Sequence, residues 1–150
     1  MKILESVLSN KALWVPAVAW SLAQILKVVI ESIRDRRLNL SHLTTMGGMP
    51  SSHTALVCAL ATTTGVVYGV GSAIFAISAF FAIVVMYDAA GVRQTVSTQS
   101  TMLNRMLEEL FKNNPAFQQR LRELIGHTKF EVAAGAILGI VVGFLLSWEW

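Results

Sequence analysis

The chemistry available to this 150-residue sequence rests on two histidines and a set of cations. His53 follows Pro50-Ser51-Ser52, and His127 follows Gly126, with Glu131 four residues later. On a helix, positions i and i+4 face one another. A carboxylate at Glu131 can therefore accept one imidazole N–H of His127, fix the tautomer, and leave the other nitrogen free to attack. The same spacing also suits a plain surface pair at an interfacial helix start, and on these residues alone both uses stand. Lys27 lies inside an apolar run, where a charge is costly and marks function by default; pairing with Glu31 at i, i+4 is its alternative use. Arg34 follows two helical turns later, and Arg93 lies at the end of another apolar run. Three such cations can surround a dianion with charge-assisted hydrogen bonds. The string Gly47-Gly48-Met49-Pro50-Ser51-Ser52 leads into a helix, whose free N-terminal N–H groups bind phosphate oxygens well. The hydroxyls of Ser51 and Ser52 add to them. Asp88 lies near this set, where it can orient His53, pair with Arg93, or simply hold a helix end at an interface.

These residues must be positioned by a membrane domain. Hydrophobic residues make up 54% of the chain and charged residues 14%, against roughly 25% charged in a soluble domain. The mean hydropathy is +0.57. Disordered, collagen-like and ordinary soluble enzyme classes are excluded on this composition, and an integral membrane protein is expected. Apolar runs at 12–33, 54–70, 73–87 and 132–147 predict four spans. All should be helical, since open strands cannot cross a bilayer. Residues 1–150 read as one membrane domain of the all-α class, and Gly71-Ser72 makes the second and third spans a hairpin. Gly135, Gly139 and Gly143 lie on one face of the last span, as helices that pack closely in lipid require. Trp148 and Trp150 suit interfacial anchors. The segment 97–126 differs: Met102, Leu103, Met106, Leu107, Leu110 and Phe111 recur at helical spacing, Asn113-Asn114-Pro115 breaks the pattern, and Phe117, Leu121, Leu124 and Ile125 resume it. It reads as two amphipathic helices, either lying on the membrane surface or capping the bundle. The first ten residues lack the pattern of a cleavable signal peptide, so none is expected. A single cysteine, Cys58, excludes an intrachain disulfide and a cysteine-based zinc cluster.

Four spans place the loops after spans one and three on the same side. Apart from Lys27, those loops hold Arg34, Arg36, Arg37, Arg93, Arg105, Lys112, Arg120, Arg122 and Lys129, whereas the opposite side has only Lys2 and Lys11. The bias of basic residues in short loops sets orientation. It predicts the active-site loops in the cytoplasm and both termini on the other side. The net charge of +3 then reflects topology rather than a nucleic-acid partner.

Lys27-x-x-x-x-x-x-Arg34, Pro50-Ser51-Ser52-His53, an arginine, and His127-x-x-x-Glu131 resemble the three signatures of the type-2 phosphatidic acid phosphatase and vanadium haloperoxidase superfamily. The strings Gly48-Met49-Pro50-Ser51-Ser52-His53-Thr54-Ala55, Tyr87-Asp88-Ala89-Ala90-Gly91-Val92-Arg93 and Gly126-His127-Thr128 are similar to its small divergent membrane branch. The resemblance covers about 12–145. It implies that His127 attacks phosphorus and forms a phosphohistidine, with Glu131 orienting it. It implies that His53 protonates the leaving alkoxide, and that Lys27, Arg34 and Arg93 hold the phosphate with help from Ser52 and nearby amides. No metal or other cofactor is implied. The partner implied is a lipid phosphate, such as phosphatidylglycerophosphate, phosphatidate or a prenyl phosphate. Ser52 stands where the family usually has glycine, Glu131 where it has aspartate, and Asp35 where it has proline. The third arginine is assigned to Arg93, with 97–126 as an insertion before the histidine; Arg120 and Arg122 are its rivals. Four spans are also fewer than the family's usual six. Two other functions share the same pocket: non-catalytic binding of anionic head groups, and vanadate-dependent halide oxidation, which a membrane-embedded site suits less well.

Overall fold

The computed structural model of the chain describes residues 2–36, 48–110 and 128–148, and among these residues all regular structure is helical. A short helix, α1 (Lys2–Ser9), leads through Asn10 into α2 (Lys11–Asp35). The Asn10 side chain accepts the Ala12 N–H at 3.0 Å, which caps α2. Pro16 lies inside α2, beyond the first turn, so the helix forgoes one backbone hydrogen bond there. The hairpin expected from Gly71-Ser72 is present as α3 (Ser52–Tyr68) and α4 (Ala73–Tyr87). Its turn begins at Gly69, whose φ of +84° favours glycine. Ser72 then donates its hydroxyl back to the Gly69 carbonyl and caps α4 by accepting the Phe75 N–H.

The expected end of the third span at Asp88 is corrected by the structure. The chain does not leave the helix there. It passes through a π-helical turn, Asp88–Val92, directly into α5 (Arg93–Leu110). The Asp88 N–H reaches the carbonyls of both Val84 and Val85, so the backbone stays bonded while the helix widens by one residue. Of the expected pair of amphipathic helices over 97–126, α5 covers the first and starts earlier than expected. Its contacts are chiefly with the π turn, and Met102, Leu103, Met106 and Leu110 are exposed along it. The expected break at Asn113-Asn114-Pro115 and the second amphipathic helix lie outside the described residues. The last helix is α6 (Lys129–Ser147).

Among the described residues, three helical stretches are long and apolar enough to cross a membrane: Lys11–Asp35, Ala73–Gly91 and Lys129–Ser147. The remaining expected span, α3, has 17 residues, about 25 Å of helix, and is the central element, packed on α2, α4 and α6. That position explains its composition. Ala55, Ala59, Thr54 and Thr63 are fully buried on it, because every face meets a neighbour and small residues let the neighbours approach. By contrast α4 exposes Ile74, Ile77, Phe80, Phe81, Ile83 and Val84, the surface expected to face lipid tails.

The contact between α3 and α6 fixes the bundle. A Cβ added at Gly135 would collide with the Ser51 carbonyl, and one at Gly139 with the Ala55 carbonyl. At Gly143 it would fall 3.0 Å from the Ala59 carbonyl, and one turn further the Ser147 hydroxyl donates to Thr63 Oγ1 at 2.9 Å. Each partner pair is separated by the same 84 residues, so the two helices run parallel and in step for about three turns. Their N-termini therefore lie side by side, joined by the Ser51 N–H donating to the Glu131 carbonyl at 3.1 Å. Helix α2 runs the other way, with Lys11 Nζ donating to the Ser147 carbonyl at 3.4 Å. Helix α4 is antiparallel to α3; the Thr64 and Ser78 hydroxyls meet at 2.6 Å, and Cys58 Sγ lies 3.8 Å from Met86 Sδ. At the far end Trp148 packs on Phe144, with ring centroids 4.9 Å apart; Trp150 lies outside the described residues.

Candidate active site

This topology gathers one end of the bundle from four places in the sequence. The C-terminal third of α2 brings Lys27, Glu31 and Arg34. The N-terminus of α3 brings Ser51, Ser52 and His53. The π turn after α4 brings Asp88 and leads to Arg93, and the first turn of α6 brings Glu131.

Lys27 is only 5% exposed. Its ammonium feels the carboxylates of Glu31, one turn on, and of Glu131, across the bundle on α6. Gly48 lies over it: a Cβ there would sit 3.0 Å from Lys27 Cε and 3.3 Å from Glu31 Oε1, and the φ of +88° is itself a glycine conformation. A side chain at Gly48 would lift the backbone off the lysine. From Gly48 the chain passes through a cis Met49–Pro50 peptide to Ser51.

Ser51 is fully buried. Its Oγ caps α3 by accepting the Thr54 N–H at 3.5 Å and also accepts the Thr54 hydroxyl at 3.0 Å. The Ser51 hydrogen is left to donate. Ser52, the first residue of α3, is also buried, and His53 beside it is exposed at the bundle end. Arg34 is 78% exposed on its side chain and lies 4.0 Å from Glu31 Oε2. Arg93 opens α5 immediately after the π turn. Asp88 is half-buried at the start of that turn. His127, Arg120 and Arg122 lie outside the described residues.

Glu131 has a structural task that the sequence reading missed. Its Oε2 accepts the Thr128 N–H at 3.1 Å, while the Thr128 hydroxyl accepts the Glu131 N–H at 3.3 Å. This is a capping box, and its Thr-x-x-Glu signature was available in the sequence. The cap fixes the carboxylate at the mouth of α6, within electrostatic reach of Lys27. Because Thr128 is the extended N-cap and α6 begins at Lys129, the helical i, i+4 facing expected for His127 and Glu131 does not apply.

Two parallel helix N-termini side by side, a buried lysine and an exposed arginine on the neighbouring helix make a surface suited to an anion. The positive ends of the α3 and α6 dipoles point at the same region. The exposed His53 gives it a titratable group.

Comparison with known proteins agrees with the membrane architecture. Residues 8–142 match the family described as the Divergent PAP2 family. The chain is 37% identical, over 153 aligned positions covering 95% of it and 97% of the relative, to the uncharacterized membrane protein YuiD of Bacillus subtilis (strain 168). No solved structure matches the chain significantly.

Proposed function

The chain belongs to the divergent PAP2 family, and we propose from that premise that it is an integral membrane phosphatase, independent of metal, acting on the phosphomonoester or pyrophosphate of a lipid or isoprenoid. The supporting observation is the convergence of Lys27, Ser51, Ser52, His53, the Arg93 end of α5 and Glu131 at one end of the bundle, beside two helix N-termini. In this reading an imidazole nitrogen of His127 forms a bond to phosphorus as the bond from phosphorus to the substrate's bridging oxygen breaks. His53 gives that oxygen a proton, so a neutral alcohol leaves from a phosphomonoester and a lipid monophosphate from a pyrophosphate. Water then attacks the phosphohistidine, releasing inorganic phosphate and restoring the imidazole. Lys27, Arg34 and Arg93, with Ser51, Ser52 and the amides of the α3 start, stabilise charge on the equatorial oxygens. The carboxylate of Glu131, held by its cap, orients His127, and Asp88 supports His53 or Arg93 from the π turn. The head group is handled at the membrane surface while the tail stays in lipid. The concentration of basic residues in the loops at this end supports a cytoplasmic or equivalent location for it.

The test is phosphate release by purified protein in detergent, with chelator present, across phosphatidylglycerophosphate, phosphatidate and prenyl phosphates, with His127→Ala as the blank. Release confined to the wild type supports the reading; no release from any of them removes it. A second reading, non-catalytic binding of anionic head groups, draws on the cap, since Glu131 already has a structural role. Full biological activity of His127→Ala would favour it.

A further inference from the structure

Glu31 has no part in the roles assigned above, yet it lies among the groups that hold phosphate. On α2 it is one turn after Lys27 and one turn before Arg34, so one carboxylate stands between two cations. Its Oε2 is 4.0 Å from Arg34 Nη1, and its side chain is 17% exposed where that of Arg34 is 78%. Its charge acts on Lys27 as well. The other oxygen, Oε1, faces the backbone that leads into α3: a Cβ on Gly48 would come within 3.3 Å of it. The carboxylate is thus tucked beneath that segment, with one oxygen toward each side of the site. At 4.0 Å the Glu31–Arg34 pair is held by charge without a hydrogen bond, and a negative charge so close to the cation offsets the attraction that a phosphate would otherwise feel. Lys27 has a second acidic neighbour in Glu131, so these two cations and two carboxylates are balanced before any ligand arrives.

We propose that Glu31 is the built-in counter-ion of the phosphate site. It is a positioning residue that holds Lys27 and Arg34 in the empty protein and lowers anion affinity by competing for them. The proposal rests on the phosphatase reading above. An incoming dianion must displace the carboxylate from Arg34 or tolerate its repulsion, and the carboxylate's return to Arg34 helps expel product phosphate. Glu31 therefore sets the balance between binding and release without touching the reacting atoms.

The experiment titrates the full chain in detergent with inorganic phosphate and compares Glu31→Gln, which keeps the shape and removes the charge, with Glu31→Asp, which keeps the charge. Removing one negative charge several ångströms from a bound dianion should tighten phosphate binding on the order of tenfold in the glutamine variant. The aspartate variant should stay near the wild type. In turnover, Glu31→Gln should lower KM for a lipid phosphate without raising kcat, because product leaves more slowly. A purely structural role would weaken both variants alike. Phosphate binding by the wild type that Glu31→Gln leaves unchanged or weakens overturns this inference alone. No binding by any of the proteins overturns it together with the phosphatase reading. If the glutamine variant is not recovered folded, Glu31→Ala gives the same comparison.

Discussion

Replacing Gly139 with alanine tests the contact that brings the α3 and α6 N-termini together. The new Cβ would collide with the Ala55 carbonyl and lie 2.9 Å from Cys58 Cβ. Neither is the end of a flexible side chain, so the helices themselves must separate or slide. Overpacking of this kind costs about 1–3 kcal/mol. In a chain of this size that corresponds to a drop in unfolding midpoint of roughly 2–12 °C. The assay is built into the contact. Cys58 is the single cysteine and is buried, so a thiol-reactive dye reports its exposure as detergent-solubilised protein is heated. Retention of the monodisperse species after heating checks the same midpoint without a probe at the site. Gly71→Ala serves as control, because nothing lies within 4 Å of a Cβ at Gly71. Separation of the helices also strains the Ser51–Glu131 backbone bond, and a displacement of about 1 Å at a catalytic site can cost on the order of 10²-fold in rate. Gly139→Ala melting with the wild type by both measures would refute the reasoning.

Three further outcomes are expected. Thr128→Ala removes half of the capping box and should destabilise the protein by about 1 kcal/mol, measured by the same melt; an unchanged midpoint would mean that the cap contributes nothing. His53→Ala should slow hydrolysis of alkyl phosphates far more than of aryl phosphates with good leaving groups, since a general acid matters less when the leaving oxygen is already stable; equal losses would remove His53 from that role. Single cysteines at Ser41 and Asn114 in a Cys58→Ala background should resist an impermeant thiol reagent in intact cells and react after lysis; labelling of both before lysis would put these loops outside.

The helices were legible in the sequence because long apolar runs have few alternatives in lipid. The hairpin was legible because glycine and serine mark its turn. The glycine stripe at Gly135, Gly139 and Gly143 announced a close neighbour but not its identity. Nothing in a four-residue repeat says that the partner is α3, or that it runs parallel with a constant offset; only long-range packing decides that. Asp88 misled for a related reason. A polar residue after an apolar run reads as a helix end, yet its backbone N–H finds two carbonyls in the preceding turn and the helix continues. Lys27 with Glu31 was visible as an i, i+4 pair. The approach of Glu131 from α6 and of Gly48 from above required the fold, since these residues are far from α2 in sequence. The Thr128–Glu131 cap, in contrast, is written locally, in a Thr-x-x-Glu signature.

The measurement that bears most directly on the proposed chemistry is trapping of the covalent intermediate. Wild-type protein quenched during turnover of a lipid phosphate labelled at phosphorus should carry an acid-labile, base-stable label with the lability of phosphohistidine. His127→Ala of the same fold should carry none and release no phosphate. Turnover with equal labelling of the His127→Ala variant, or with the label on a different residue type, would contradict the account.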